Sequence, residues 1–205
     1  MNETPHLTPE QIVDRFREQF GTGLLDAKVT ERGEGTKKVK AYNIWLRVDR
    51  ELFRPAVQHL LGIRFPHLAV IAGNDLGSEI ELLYIFSVYY GQKFGEYMVT
   101  IGVRLPKGDL TIPTITDLIP GALFSEREKQ EFFGITVTGI PDGRRLFLPD
   151  DFPQGVYPWR KDETGISPEM IKNLWEVGRP KDRPVPPVPE KAPAAEETKE
   201  GGASP

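Results

Sequence analysis

Acidic and basic side chains crowd one short stretch of the chain. In SEREKQEFFGI (125–135), Glu126, Arg127, Glu128, Lys129 and Glu131 stand beside Phe132, Phe133 and Gly134, and PWRKD (158–162) follows downstream. Carboxylates this close to bases can do acid–base chemistry, cap a helix, or dock a partner. For hydrolysis, two of Glu126, Glu128 and Glu131 would have to act as general acid and base. Glu126 and Glu128 are two apart, so on a helix they do not face each other. No nucleophile–histidine pair stands near them. GEG (33–35) lacks the strand-to-helix setting of a nucleotide fingerprint. Local capping accounts for the same residues differently. Ser125 and Glu128 have the S-x-x-E spacing of a capping box, Arg127 and Glu131, one turn apart, can pair on an exposed face, and Gly134 suits a left-handed helix end. This predicts a two-turn helix over 126–133.

The docking reading rests on the segment after it. Arg144, Arg145, Arg160 and Lys161 alternate with Asp142, Asp150, Asp151 and Asp162, and Phe147, Phe152, Tyr157 and Trp159 are interleaved. Aromatics with arginines are the composition of interface hot spots. The same aromatics can instead fold back onto the chain's own core, and periodicity does not separate the two.

The elements that must position these residues are legible upstream. Thr8-Pro9-Glu10-Gln11 is a helix start with a capping box, followed by Ile12, Val13, Phe16 and Phe20 at helical spacing. Strands are expected over 27–31 and 39–48, joined by the hairpin loop RGEGTKK. A helix over 50–61 has Asp49 as its cap and starts late or kinks because Pro55 lacks an N–H. Strands follow over 68–72, 80–90 and 96–105, the last two forming an antiparallel hairpin through GQKFG. The fold class is α+β, a mainly antiparallel sheet with helices on one face. Three regions are expected: an α+β domain (1–106), an extended segment carrying the short helix (107–178), and a Pro/Ala/Glu-rich tail (179–205) with polyproline character near 184–189. Prolines at 106, 113, 120, 141, 149, 153 and 158 keep the middle region extended, so it should wrap over the domain or over a partner.

Composition narrows the classes. Of 205 residues, 39% are apolar and 27% charged, with a net charge of −4, and nothing in this balance demands the strongly basic face usual in a nucleic-acid binder. The absence of cysteine removes thiolate ligation of zinc or iron–sulfur clusters by this chain. His6, His59 and His67 are scattered, without ligand spacing, so no metal site is expected. The N-terminus lacks an apolar run of the signal-peptide kind, and IELLYIFSVYYG (80–91) is too short to span a bilayer.

PTITDLIPGALFSEREKQEFFGI and RRLFLPDDFPQGVYPWRKD together resemble the 30 kDa subunit family of proton-pumping NADH:quinone oxidoreductase, respiratory complex I. That family includes the equivalent subunit of membrane-bound group 4 [NiFe] hydrogenases and formate hydrogenlyase. The matching positions are Pro113, Asp117, Glu126, Arg127, Glu128, Glu131, Phe132, Phe133, Gly134, Ile135, Arg144, Leu146, Leu148, Pro149, Pro158, Arg160, Lys161 and Asp162. Ile140 stands where the family usually has histidine, Phe124 where tryptophan is common, Phe147 where an aliphatic residue is usual and Trp159 where leucine is. These departures direct the resemblance toward the hydrogenase-like branch.

The resemblance implies a non-catalytic connecting subunit, peripheral on the cytoplasmic side of the membrane and held there by partners. Those would be a large [NiFe]-hydrogenase-like (49 kDa-type) subunit and small iron–sulfur subunits. It implies no cofactor on this chain, with iron–sulfur clusters, and NiFe, NADH or quinone, in the partners. The expected docking and structural residues are Glu126, Arg127, Glu128, Glu131, Phe133, Gly134, Arg144, Arg145, Pro158, Trp159, Arg160, Lys161 and Asp162. Two other readings stay open: a stand-alone hydrolase using Glu126 or Glu128, and a binding module working through the tail prolines.

Overall fold

A computed structural model describes residues 6–36, 39–92 and 95–171. The tail over 179–205 and its prolines lie outside the described residues. Residues 1–167 form one compact unit, and a second begins at Pro168, of which the short 3₁₀ turn Pro168–Met170 is described.

Helix α1 (Pro9–Phe20) begins where its capping residues put it. The Thr8 hydroxyl accepts from the Gln11 N–H and the Gln11 amide oxygen accepts from the Thr8 N–H, with Pro9 at the first helical position. Ile12, Val13 and Phe16 point into the core. Strands β1 (Leu24–Glu34) and β2 (Val39–Val48) follow, β1 being longer than its apolar pattern indicates because it pairs along its whole length with β2. Helix α2 (Phe53–Ile63) starts late, after a 3₁₀ turn at Arg50–Leu52, which leaves Pro55 in the first turn, where its missing N–H costs nothing. Asp49 does not cap it through its side chain; its backbone carbonyl accepts from the Leu52 N–H instead.

Strands β3 (His67–Asp75), β4 (Glu79–Val88) and β5 (Tyr97–Pro106) complete a five-stranded sheet in the order β1-β2-β5-β4-β3. All neighbours are antiparallel except β2 and β5. The register puts Ile44, Leu46, Tyr84, Phe86, Val99, Ile101 and Val103 on one face, and α1 and α2 cover that face with Phe16, Phe53, Val57 and Leu60. The α+β expectation, with helices on one face, is the observed architecture.

Beyond Pro106 the chain stays on the same core. Strands β6 (Thr111–Pro113) and β7 (Thr136–Thr138) pair in parallel and bury Ile112 and Val137. Between them lies helix α3 (Ala122–Phe133). It starts one turn earlier than capping logic predicts. Ser125 is therefore inside the helix, and the expected Ser125–Glu128 capping box does not exist; Gly121 is the N-cap, with no side-chain bond. The physical reason is tertiary. Burying Ala122 against the core, just after the Ile115–Ile119 turn, outweighs a local cap. The helix stops at Gly134, whose φ of +67° is left-handed as predicted. Gly73 on β3 makes room for Phe133: a Cβ there would lie 2.3 Å from the Phe133 ring.

Candidate docking site

The charges of α3 are not a solvated face. Glu126, Arg127, Lys129 and Glu131 are all buried, which overturns the exposed Arg127–Glu131 pair. Buried charges must be hydrogen-bonded or paired; Glu126, Arg127 and Glu131 find partners outside the helix, and Lys129 pairs with Glu128 next to it.

Glu126, 1% exposed, faces the β6–α3 connection. Its carboxylate accepts from the Thr114 hydroxyl (2.5 Å) and the Ile115 N–H (2.9 Å). Burial pushes its pKa up, and those two hydrogen bonds offset part of the rise. A raised carboxylate suits a general acid only if substrate can reach it, and this one is sealed into the fold. Replacement Glu126→Gln keeps an acceptor for Ile115 and offers a donor to Thr114. We expect its melting temperature to stay within about 2 °C of the native chain, roughly 1 kcal/mol at this size. A hydrolase relying on this acid would lose at least about 100-fold in rate.

Arg127 and Glu131, one turn apart, hold the backbone of the segment ahead of Pro149 from opposite polarities. The Arg127 guanidinium donates to the carbonyls of Arg144 (2.8 Å) and Arg145 (2.9 Å) and lies 3.4 Å from Asp142. The Glu131 carboxylate collects three successive N–H groups, those of Leu146, Phe147 (2.9 Å) and Leu148 (2.8 Å). One base and one acid thus fix five residues of loop. Asp142 is held well below the usual carboxylate range, first by the Arg144 side chain and N–H and then by Arg127. Arg144 itself stays 85% exposed at its side chain. Arg145 turns back to the carbonyls of Pro149 and Phe152 (3.0 and 3.1 Å).

The second half of the motif returns to the end of α3. The Trp159 N–H donates to Phe132 O (3.1 Å), and its indole stacks on Phe132 at 4.4 Å, with the Lys129 ammonium 4.6 Å from the ring centre. Glu128, half-buried, pairs with Lys129. Arg160 donates to Phe133 O (2.8 Å) and the Thr164 hydroxyl (3.1 Å) and lies over Tyr157 at 4.2 Å. Gly134 is where these meet: a Cβ would sit 2.4 Å from Tyr157. Pro158 is half-buried between Tyr157 and Trp159.

Lys161 and Asp162 then dock on a residue the sequence did not single out. The Asp75 carboxylate, with its side chain fully buried, accepts from the Lys161 N–H (2.8 Å), the Gly77 N–H (2.8 Å) and the Lys107 ammonium (2.9 Å). Lys161 Nζ donates to Asp75 O (3.0 Å), and Lys107 also pairs with Asp162. Asp75 sits in NDLG (74–77), which reads as ordinary turn chemistry; only its bond to Gly77 is local. Arg54 was missed likewise. It donates to Asp117 (2.8 and 2.5 Å) and to Thr114 O (2.6 Å) across 60 residues or more of chain.

The charged residues of α3, with Asp142, Arg144, Arg145, Arg160, Lys161 and Asp162, are therefore engaged within the chain, and the segment over 142–165 is a fixed strap. Its outward apolar side chains are Phe147, 58% exposed and 6.0 Å from Phe132, and Trp159, 41% exposed. Tyr157 and Phe152 fold back, so the aromatics divide between the two readings left open above. Among the described residues there is no cluster of three or more metal-ligating side chains, and no helix is long and apolar enough to cross a membrane.

This two-layer α+β fold with a C-terminal strap belongs to a recognisable class. A family model described as the respiratory-chain NADH dehydrogenase 30 kDa subunit matches residues 46–169, and the chain belongs to that family. Among its relatives, the membrane-bound hydrogenase subunit beta of Pyrococcus furiosus is 32% identical over 165 residues, 80% of this chain and 91% of that one. Formate hydrogenlyase subunit 5 of Escherichia coli is 37% identical over 98 residues, 46% of this chain; the match spans 17% of that longer protein. A solved chain in the membrane-bound sulfane sulfur reductase, an archaeal respiratory membrane complex, superposes with a TM-score of 0.62 at 25% identity, over 86% of this chain and 98% of that one. The relatives are thus subunits of complex I-like and hydrogenase-type membrane complexes.

Proposed function

We propose that this chain is the non-catalytic connecting subunit of a complex I-related membrane oxidoreductase of the energy-converting hydrogenase or NADH:quinone type. It packs against the large [NiFe]-hydrogenase-like subunit and beside small iron–sulfur subunits while electron transfer drives ion pumping. It carries no cofactor; iron–sulfur clusters, and NiFe, NADH or quinone, belong to its partners. It sits peripherally on the cytoplasmic side of the membrane and touches the membrane only through those partners.

One observation carries this reading beyond family membership. The strap is rigidly built from within, by Arg127, Glu131, Asp75 and Arg160, yet it presents Phe147, Trp159 and Arg144 to the outside. A pre-ordered surface binds without the cost of ordering it at the moment of contact.

Affinity purification of the tagged chain from gently solubilised native membranes, with subunits identified by mass spectrometry, tests it. The expected companions are a hydrogenase-like large subunit and cysteine-rich iron–sulfur subunits. Arg160→Ala removes two hydrogen bonds and a stacking contact from the strap and should lower recovery of those companions by about tenfold. Glu196→Ala in the tail should leave it unchanged. Recovery of the native chain alone would sink the connecting role.

A further inference from the structure

The face of the sheet opposite the helices departs from what a solvated sheet face should be. The wet side of such a sheet is ordinarily polar. Here one register row across all five strands reads Lys28, Trp45, Thr100, Ile85, Val70, and the next reads Asp26, Arg47, Gly102, Leu83, Ala72. Trp45 is 42% exposed and Val70 44%, while Ile85, Leu83 and Ala72 are half-buried. No described helix covers this face.

Its middle is hollow. Gly102 is buried and brings no side chain to the middle of the face, where a Cβ would meet the Leu83 side chain at 3.2 Å. A cavity of about 280 Å³, open to the outside, lies over it between Trp45 and Leu83 on one hand and Asp26, Lys28, Arg47 and Thr100 on the other, with room for one large side chain. The charges around it are unequally used. Glu81 accepts from Arg104 (3.1 Å) and lies 3.6 Å from Arg47, which closes one end with ion pairs. At the other end Lys28 and Asp26, two apart on the same face, have no ion-pair partner among the described residues.

We propose that this face is a second docking surface, and that its occupant is an amphipathic helix of another subunit of the same complex. The proposal rests on the connecting role for the existence of such a complex. A two-layer fold whose second sheet face exposes Trp45 and Val70 among charged residues lacks the third layer that a helix supplies. A strand would seek the sheet edges, where free N–H and C=O groups lie, rather than the middle of a face. A lipid surface calls for a basic rim, whereas the unpaired charges here are one of each sign. The fitting helix bears an apolar stripe, one large side chain for the Gly102 hollow, and an acid and a base at its margin for Lys28 and Asp26. This surface is separate from the strap, so the subunit would be gripped on two sides.

The test uses the tagged chain in the complex purified from native membranes. p-Benzoylphenylalanine at position 45 should cross-link to one other subunit, with the adduct mapping to a segment of helical apolar periodicity. The exposed double substitution Trp45→Asp, Val70→Asp should lower the chain's occupancy in the complex about tenfold or more, the loss typical of a buried aromatic anchor, while the isolated chain melts as before. Full occupancy of the double variant, or adducts only with a second copy of this chain, overturns the proposal and leaves the connecting role standing. If the double variant does not fold, the cross-link decides alone: a mapped partner subunit supports the proposal and no adduct in an intact complex overturns it. Failure of the native chain to bring down any subunit overturns both.

Discussion

Glu131→Ala should loosen the strap and lower stability by about 3 kcal/mol. Its carboxylate is the common acceptor for three consecutive backbone N–H groups, and it is 8% exposed. A hydrogen bond to a charged group contributes about 1.5–3 kcal/mol, and three of them share one acceptor here. The full sum is not expected, because the freed loop can swing out and bond to water. At this chain length about 3 kcal/mol corresponds to a fall of roughly 6–12 °C in melting temperature. The loop contains Arg144 and Arg145, so trypsin reports on it directly: cleavage there should accelerate well before global unfolding. Glu131→Gln should fall between the two, since its oxygen still accepts while its NH₂ turns a donor toward donors. A melting temperature within about 1 °C of native and an unaltered tryptic pattern would show that the loop is held by something else.

The second large effect is expected at Asp75. Asp75→Asn puts a neutral side chain among the Lys107 ammonium, the Lys161 N–H and the Gly77 N–H, in a site where the carboxylate is fully buried. Breaking a buried ion pair by removing one partner costs about 3–5 kcal/mol. Lys107 keeps Asp162, so about 3 kcal/mol is the expected value.

The pH dependence follows the same residues. Burial alone would raise the Asp75 carboxyl, but the Lys161 and Gly77 N–H groups and Lys107 together bring it below its ordinary value. Asp162 is held lower still, mainly by Lys107 and Thr164. A carboxyl depressed in the folded state contributes stability that is fully present above the unfolded value, about 4, and is lost as pH falls through the folded value. Glu126 has the opposite sign. Its raised value means its contribution is complete below the unfolded value and lost as pH rises through the folded one. The depressed group includes Asp75, Asp109, Asp117, Asp142 and Asp162, so the chain should be acid-labile. Thermal melts between pH 7 and 3 should fall most steeply below pH 4 for the native chain and less steeply for Asp75→Asn. Parallel curves would remove Asp75 from the account.

Much of this molecule is written locally. Thr8, Pro9 and Gln11 start α1 by bonds that span three residues, and Gly134 ends α3 by a left-handed φ that only nearby sequence needs to specify. The β4–β5 hairpin joins strands through a short loop, so its pairing is likewise a short-range fact. Patterns of this kind, together with the motifs SEREKQEFFGI and PWRKD, also suffice to place the chain in its family.

What the sequence determined by itself, then, was the kind of fold, the order of its elements and the family. What only the tertiary structure decided was what the charged residues do. The Ser125–Glu128 box and the Arg127–Glu131 pair are sound local chemistry, yet neither forms, because α3 is buried and its charges have closer claims on Thr114, Ile115 and the backbone over 144–148. Asp75 and Arg54 carry no local signal that singles them out, and are hubs because the returning chain brings Lys161 and Asp117 against them. A local bond is specified by its spacing. A bond across 60 or 86 residues is specified by packing of the whole core, which hydrophobic burial drives without regard to sequence distance.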